Sequence, residues 1–273
     1  MDMLGALQYE FIRRAIIAGS FIALVCSLLG VLLVLRRYSL IGDGLAHVTF
    51  GSVALGLFLK QHPLSVAIPV VMVSSLGILK LTQKAKIYGD AAIGIVSSLG
   101  IALGVLIASL SGGFNIDLFS FLFGNILSIT DIEVYTSIGL SVAVLFMIIF
   151  FYNEHLSATF DEEFARVSGI DTERINTLLV LLTGITVVLT MKVVGIMLTS
   201  SLLILPAVTA LQFAQGFKGT MVISSCVAVV SVITGISLSL LLNIPTGATI
   251  VLMNFIFFAC AFLYRHISQK GLH

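Results

Sequence analysis

"AIIAGSFIALVCSLLGVLLVLRRYSLIGDGLAHVTFGSVALGLFL", Ala15 to Leu59, holds two apolar runs, 15–35 and 40–59, parted by the pair Arg36–Arg37. Each run is about 20 residues long, enough for a helix to cross a hydrocarbon core of ~30 Å. Further runs follow near 64–80, 91–111, 132–152, 177–191, 193–214, 220–242 and 246–264. Taken as one helix, 177–214 would extend ~57 Å at ~1.5 Å per residue, far beyond a membrane, and Lys192 and Gly195 offer a break. The pattern predicts an all-α polytopic membrane bundle of eight to nine transmembrane helices, with nine favoured, forming one domain over 1–273.

Composition agrees. Of 273 residues, 59% are hydrophobic and only 10% charged, with mean hydropathy +1.17, whereas a soluble domain devotes about a quarter of its residues to charge. The net charge of +1 leaves no basic footprint for nucleic acid; lipid is the expected surround. Cys26, Cys226 and Cys260 all lie in apolar runs without metal or redox spacing and are expected to be packing residues. No short apolar core with a cleavage site opens the chain, so the first run is expected to be a crossing and not a cleaved signal.

Lysine and arginine set the expected orientation. With the N-terminus outside, the inner side holds Arg36, Arg37, Lys80, Lys84, Lys86, Arg166, Arg174, Lys218, Arg265 and Lys270, ten of the 14. Arg13, Arg14, Lys60 and Lys192 stay outside. The C-terminus is then cytoplasmic. Residues 112–131, apolar but interrupted by Asn115, Asp117 and Asn125, are expected to form a short or re-entrant helix on the outer side. The polar stretch 153–176 is expected in the cytoplasm.

Within the second run, Asp43 and His47 stand at i and i+4 on one helical face. Counted from Arg37 they lie about 9 and 15 Å along a helix. A carboxylate there costs about 2.5–3.5 kcal/mol on insertion scales, so it faces a partner or a cavity. Two readings fit: the pair bonds itself and nearby backbone, or it is a transient metal site, since carboxylate and imidazole both bind zinc and manganese. Gly42, Gly44, Ala46, Gly51, Ser52 and Ala54 would let helices approach closely around it.

The stretch from Ser157 to Gly169 reads as a short helix. Ser157 or Thr159 can cap it, Asp161, Glu162 and Glu163 suit its N-terminal dipole, and Phe164, Val167 and Ile170 give an apolar edge. It is either a solvated loop on the membrane or a docking helix for a cytoplasmic partner. In "VGIMLTSSLLILPAVTA", Val194 to Ala210, Pro206 permits a kink that nearby hydroxyls can re-satisfy, in a packing helix or in a gate. No GxxxxGK[ST] loop occurs, so the chain is not expected to hydrolyse ATP or to be an enzyme, and no HExxH supports a metalloprotease.

Three blocks, "RRYSLIGDGLAHVTFG", "FDEEFARVSGI" and "VGIMLTSSLLILPAVTA", resemble in order and spacing the permease subunits of bacterial ABC importers for zinc, manganese and iron, the ABC-3 family. The resemblance spans essentially the whole chain. It implies a multi-pass plasma-membrane permease working as a homodimer, with two cytoplasmic ATP-binding subunits and an extracytoplasmic solute-binding protein that delivers the metal. It assigns the metal pair to Asp43 and His47, and a coupling helix docked on the ATPase to 157–169, with Asp161, Glu162, Glu163, Phe164, Ala165 and Gly169. No permanent cofactor is implied; the ion is cargo. A two-fold axis would join two such pairs into four ligands. The wording of the first block favours zinc over manganese. His62 falls outside every motif. From a different class, a secondary cation transporter would use Asp43 and His47 to relay protons or bind a coupling ion, but it leaves the docking stretch unexplained and needs repeats between halves that are not evident.

Overall fold

The computed structural model describes residues 10–85, 87–111, 121, 122, 124, 130–191, 194–214 and 216–270, with nothing stated for the side chains at 197 and 268–270. The described elements are α-helical apart from one 3-10 turn. In order they are α1 (Glu10–Leu35), α2 (Ile41–Phe58), α3 (Pro63–Gln83), α4 (Gly89–Leu110), α5 (Asp131–Phe150), α6 (Tyr152–Phe160), α7 (Glu162–Val167), α8 (Thr172–Thr190), the 3-10 turn Ile196–Leu198, α9 (Thr199–Ala210), α10 (Phe217–Leu242) and α11 (Thr246–Lys270). Most of the expected re-entrant stretch, 112–131, lies outside the described residues.

Eight of these helices are long and apolar enough to cross a membrane: α1 to α5, α8, α10 and α11. They differ in burial. The apolar window of α2 is 72% buried, while that of α4 is 28% buried. So α2, with α1 and α8, forms the centre, and the others turn apolar side chains such as Leu106, Phe146 and Phe255 outward. In lipid those side chains need no protein cover.

Glycine lets neighbouring helices press closely on the central α1 and α2. A Cβ on Gly100 would lie 2.8 Å from Val48 Cα, and one on Gly51 would lie 2.6 Å from the Gly100 carbonyl oxygen. α2 and α4 therefore touch backbone to backbone. Likewise α9 presses on α1, where a Cβ on Gly30 would lie 1.9 Å from the Leu203 carbonyl oxygen. Close approach of this kind replaces hydrophobic drive as the source of packing energy between helices in lipid.

The break expected inside 177–214 is present, but its second half is short. α8 ends at Thr190 and α9 has only 12 residues, or ~18 Å, less than a bilayer core. A hydroxyl contact of 2.8 Å between Thr190 and Thr199 pins the two helices at the bend. Pro206 is buried inside α9, which continues through it.

Contacts sort the connections to two ends of the bundle. At one end Phe217, which opens α10, packs on Tyr152 and Phe160 at 5.5 and 6.1 Å. Arg265 near the end of α11 donates to Gln212 at 3.1 Å. The chain thus returns through α9, and α11 finishes at the same end as α6 and α7. At the other end Arg14 of α1 pairs with Asp131 of α5 at 2.8 Å. Of the three cysteines only Cys26 is buried, as expected of a packing residue; Cys226 and Cys260 are exposed on the helix surfaces.

Candidate metal path and docking helix

α2 begins later than a count from Arg37 assumes. Arg37 adopts φ 60°, the Tyr38 N–H reaches back to Leu33 O at 2.8 Å, and a turn intervenes before Ile41. A left-handed residue cannot continue a helix, so Asp43 sits in the first turn of α2. It lies about 3 Å from the helix start and His47 about 9 Å, at ~1.5 Å per residue.

The two side chains do face each other. His47 Nε2 stands 3.5 Å from Asp43 Oδ2, beyond the usual hydrogen-bond range of about 2.7–3.2 Å. Two donors each ~2.1 Å from one ion at a tetrahedral angle stand about 3.4 Å apart, so the spacing suits a shared ion. Asp43 Oδ1 accepts from Ser200 Oγ at 3.3 Å, which ties the pair to the first turn of α9. The Asp43 side chain is 50% exposed and that of His47 23%. On the most buried of the membrane-length helices, both side chains thus keep access to the protein surface. Among the described residues no three His, Cys, Asp or Glu side chains converge on a metal position. One chain supplies two donors there.

The stretch 157–169 is helical but is divided in two. Ser157 and Thr159, the expected caps, lie inside α6, and the Thr159 hydroxyl bonds the His155 carbonyl at 2.6 Å. The cap is Asp161. Its backbone is extended, and its carboxylate accepts from the Phe164 N–H at 2.9 Å, since an acid at this position satisfies an orphan donor and the dipole together. Glu162 and Glu163 fill the first turn. Gly169, at φ 87°, stops α7, with Ile170 N–H on Ala165 O at 3.0 Å and Gly169 N–H on Arg166 O at 3.1 Å. That is a left-handed stop, which favours glycine. Ala165 is fully buried against Ala158 and Ile175, with Ile170 packed beside them. Phe160, Phe164 and Val167 remain exposed, Val167 at 89%. Glu163 is exposed with them.

One residue beneath this helix carries more than its expected part. Arg36, counted in the sequence only as an inner positive charge, donates to Thr159 Oγ at 2.9 Å, to Asn176 Oδ1, and to the His155 carbonyl at 3.3 Å. Asn176 in turn donates to Glu162 Oε1 at 3.2 Å. The network joins α6, α7 and α8 to the turn that precedes Asp43. Burial lowers the Arg36 pKa, against the nearby Glu162 and Tyr38. His155 is buried with no hydrogen-bond partner for either ring nitrogen among the described residues. Burial, then the charge of Arg36, pushes its pKa down to about 4, so it is neutral.

The sequence profile of the ABC 3 transport family matches residues 8–265. The chain is similar to the manganese transport system membrane protein MntC of Listeria monocytogenes, 32% identical and covering 98% of this chain and 95% of that protein. It is also similar to the high-affinity zinc uptake system membrane protein ZnuB of Haemophilus influenzae, 31% identical over 94% of this chain and 99% of that one. Among solved structures, PsaBC from Streptococcus pneumoniae in complex with Fab superposes with TM-score 0.86 at 31% identity, covering 95% of this chain and 94% of that chain. With eight long apolar helices among its described residues, the protein is a multi-pass component of the bacterial cell membrane. The chain belongs to the ABC 3 transport family, as the permease subunit, and not the ATPase, of a bacterial metal-ion importer.

Proposed function

We propose that this permease takes up a divalent transition metal through a path lined by Asp43 and His47 of two copies related by a two-fold axis. Two ATP-binding subunits dock on the α6–α7 corner, and an extracytoplasmic binding protein delivers the ion at the opposite end. The observation that carries the reading is the partly exposed Asp43–His47 pair at chelating distance on an otherwise buried helix. One pair holds an ion weakly, and two complete a site.

Manganese is placed first and zinc second, the reverse of the order the sequence blocks suggest. The permeases of Listeria and of Streptococcus parasanguinis to which the chain is similar are named for manganese, although the Haemophilus relative is named for zinc. Two aspartates can offer four oxygens beside two imidazole nitrogens, a set that suits manganese as well as a zinc tetrahedron. Uptake of labelled manganese and zinc in competition, by proteoliposomes holding the assembled complex, distinguishes them. Asp43→Ala and His47→Ala are each expected to abolish uptake while the complex still assembles. Transport at the native rate by both variants would refute the path. A secondary transporter reading would instead require uptake by the permease without ATP.

A further inference from the structure

Arg36 stands where α1 hands over to α2. Its backbone N–H still bonds Leu32 O at 3.1 Å, and Asp43 lies in the first turn of the helix that follows. Its side chain leaves this turn for α6 and α8. All three guanidinium nitrogens are engaged: Nε on Thr159 Oγ at 2.9 Å, one terminal nitrogen on Asn176 Oδ1, the other on the His155 carbonyl at 3.3 Å. A guanidinium presents its donors in a rigid planar fork, so three acceptors on two helices hold it in one orientation.

Asn176 carries the contact on to α7. Its amide accepts from Arg36 on one side and donates to Glu162 Oε1 at 3.2 Å on the other. Arginine only donates and an ionised glutamate only accepts. A side chain that joins them must offer one group of each kind, as an amide does. An aspartate would lack the donor, and a leucine would lack both. Glu162 opens α7, next to the exposed Phe164. A polar chain thus runs from the docking helix through α8 to the turn before Asp43.

We propose that Arg36 and Asn176 relay displacement of the α6–α7 corner to the start of α2, which makes Arg36 a positioning residue of import that acts through Asp43. Asn176 and His155 are buried around the guanidinium. A charge drawn from water and then stripped of its acceptors finds no replacement, so a displaced corner takes the arginine with it. The relay rests on the reading above that ATP-binding subunits dock on this corner.

The test measures ATP hydrolysis and Mn2+ uptake together, in proteoliposomes holding the assembled complex. Asn176→Asp keeps an acceptor for Arg36 and removes the donor to Glu162, cutting one link while the arginine stays paired. Arg36→Lys keeps the charge but cannot span three acceptors. In both variants the ions imported per ATP should fall about fivefold or more, with the ATP-binding subunits still retained. A native ratio, or uptake and ATP use falling in proportion, would make Arg36 a structural tie and overturn the proposal. A second readout needs no metal. Leu40, at the start of α2, is 50% exposed. In a background without the native cysteines, Leu40→Cys should react with a thiol reagent at a rate that changes on adding ATP, and Asn176→Asp should abolish that change. An ATP response that persists with Asn176→Asp also overturns the relay. Failure of the docking reading would show separately, as native retention of the ATP-binding subunits by Phe164→Ala. Failure of the central path would show as continued uptake by the Asp43 and His47 variants.

Discussion

Arg36 draws together residues that sequence cannot place side by side: Thr159 and Asn176 stand 123 and 140 positions away. That is why Asp43 and His47 were legible from their spacing alone while the network under the docking helix was not. An i, i+4 pair announces itself within one helix, but a tether across three helices exists only once they pack. His155 belongs to the same hidden set. Its pKa is about 4 in the fold against an ordinary 6.5, so between those values the unfolded chain binds the extra proton and the folded chain does not. Stability is therefore complete above about pH 6.5 and falls as pH drops from there toward 4. His155→Leu should remove part of that acid loss. Thermal unfolding of the detergent-solubilised protein at pH 7 and pH 5 should show a smaller drop in midpoint for the variant. An equal drop in both proteins would assign the acid sensitivity to other groups.

At the scale of the element, α7 shows what local signals can and cannot specify. Its acidic start was readable, because such preferences act within the first turn, whereas the stop at Gly169 emerged only from its φ of 87°. Nor was the corner at Asp161 readable. The segment Tyr152–Phe160 continues the line of α5 in sequence, and only its packing with α8 and with Phe217 shows it to be separate. Asp161→Ala should cost about 1 kcal/mol of local stability by removing the cap. Gly169→Val should cost about 1–2 kcal/mol by forcing a branched residue to φ 87°. Phe164→Ala touches neither, since the ring is 66% exposed. If α7 is the docking surface, Phe164→Ala should weaken retention of the ATP-binding subunits on affinity-captured permease while thermal stability holds. Retention at the native level, with ATP use still coupled to uptake, would remove α7 from that role.

For the whole molecule, hydrophobic run lengths made the long helices legible, and the shortness of α9 escaped because an apolar run of the right length need not be helical throughout. The two ends of the bundle follow from contacts; which end faces the cytoplasm is the expectation drawn from ten basic residues against four. In a background without the native cysteines, Ser111→Cys should react with an impermeant thiol reagent on intact cells. Asn153→Cys should react only after permeabilisation, and the opposite pattern would invert the importer. The contact of Gly51 with Gly100 also has a mechanical meaning. No side chain lies between the two backbones to cushion sliding, so α2 and α4 form one stiff bar that carries Asp43 and His47. If the proposed path works by alternating exposure, α2 and α4 should move together and not slide past one another. Gly100→Ala puts a methyl 2.8 Å from Val48 Cα and should cost about 1–3 kcal/mol through overpacking, seen as a lower unfolding midpoint. A variant as stable as the native protein would mean that the bar is a loose joint, free to shear at every stroke.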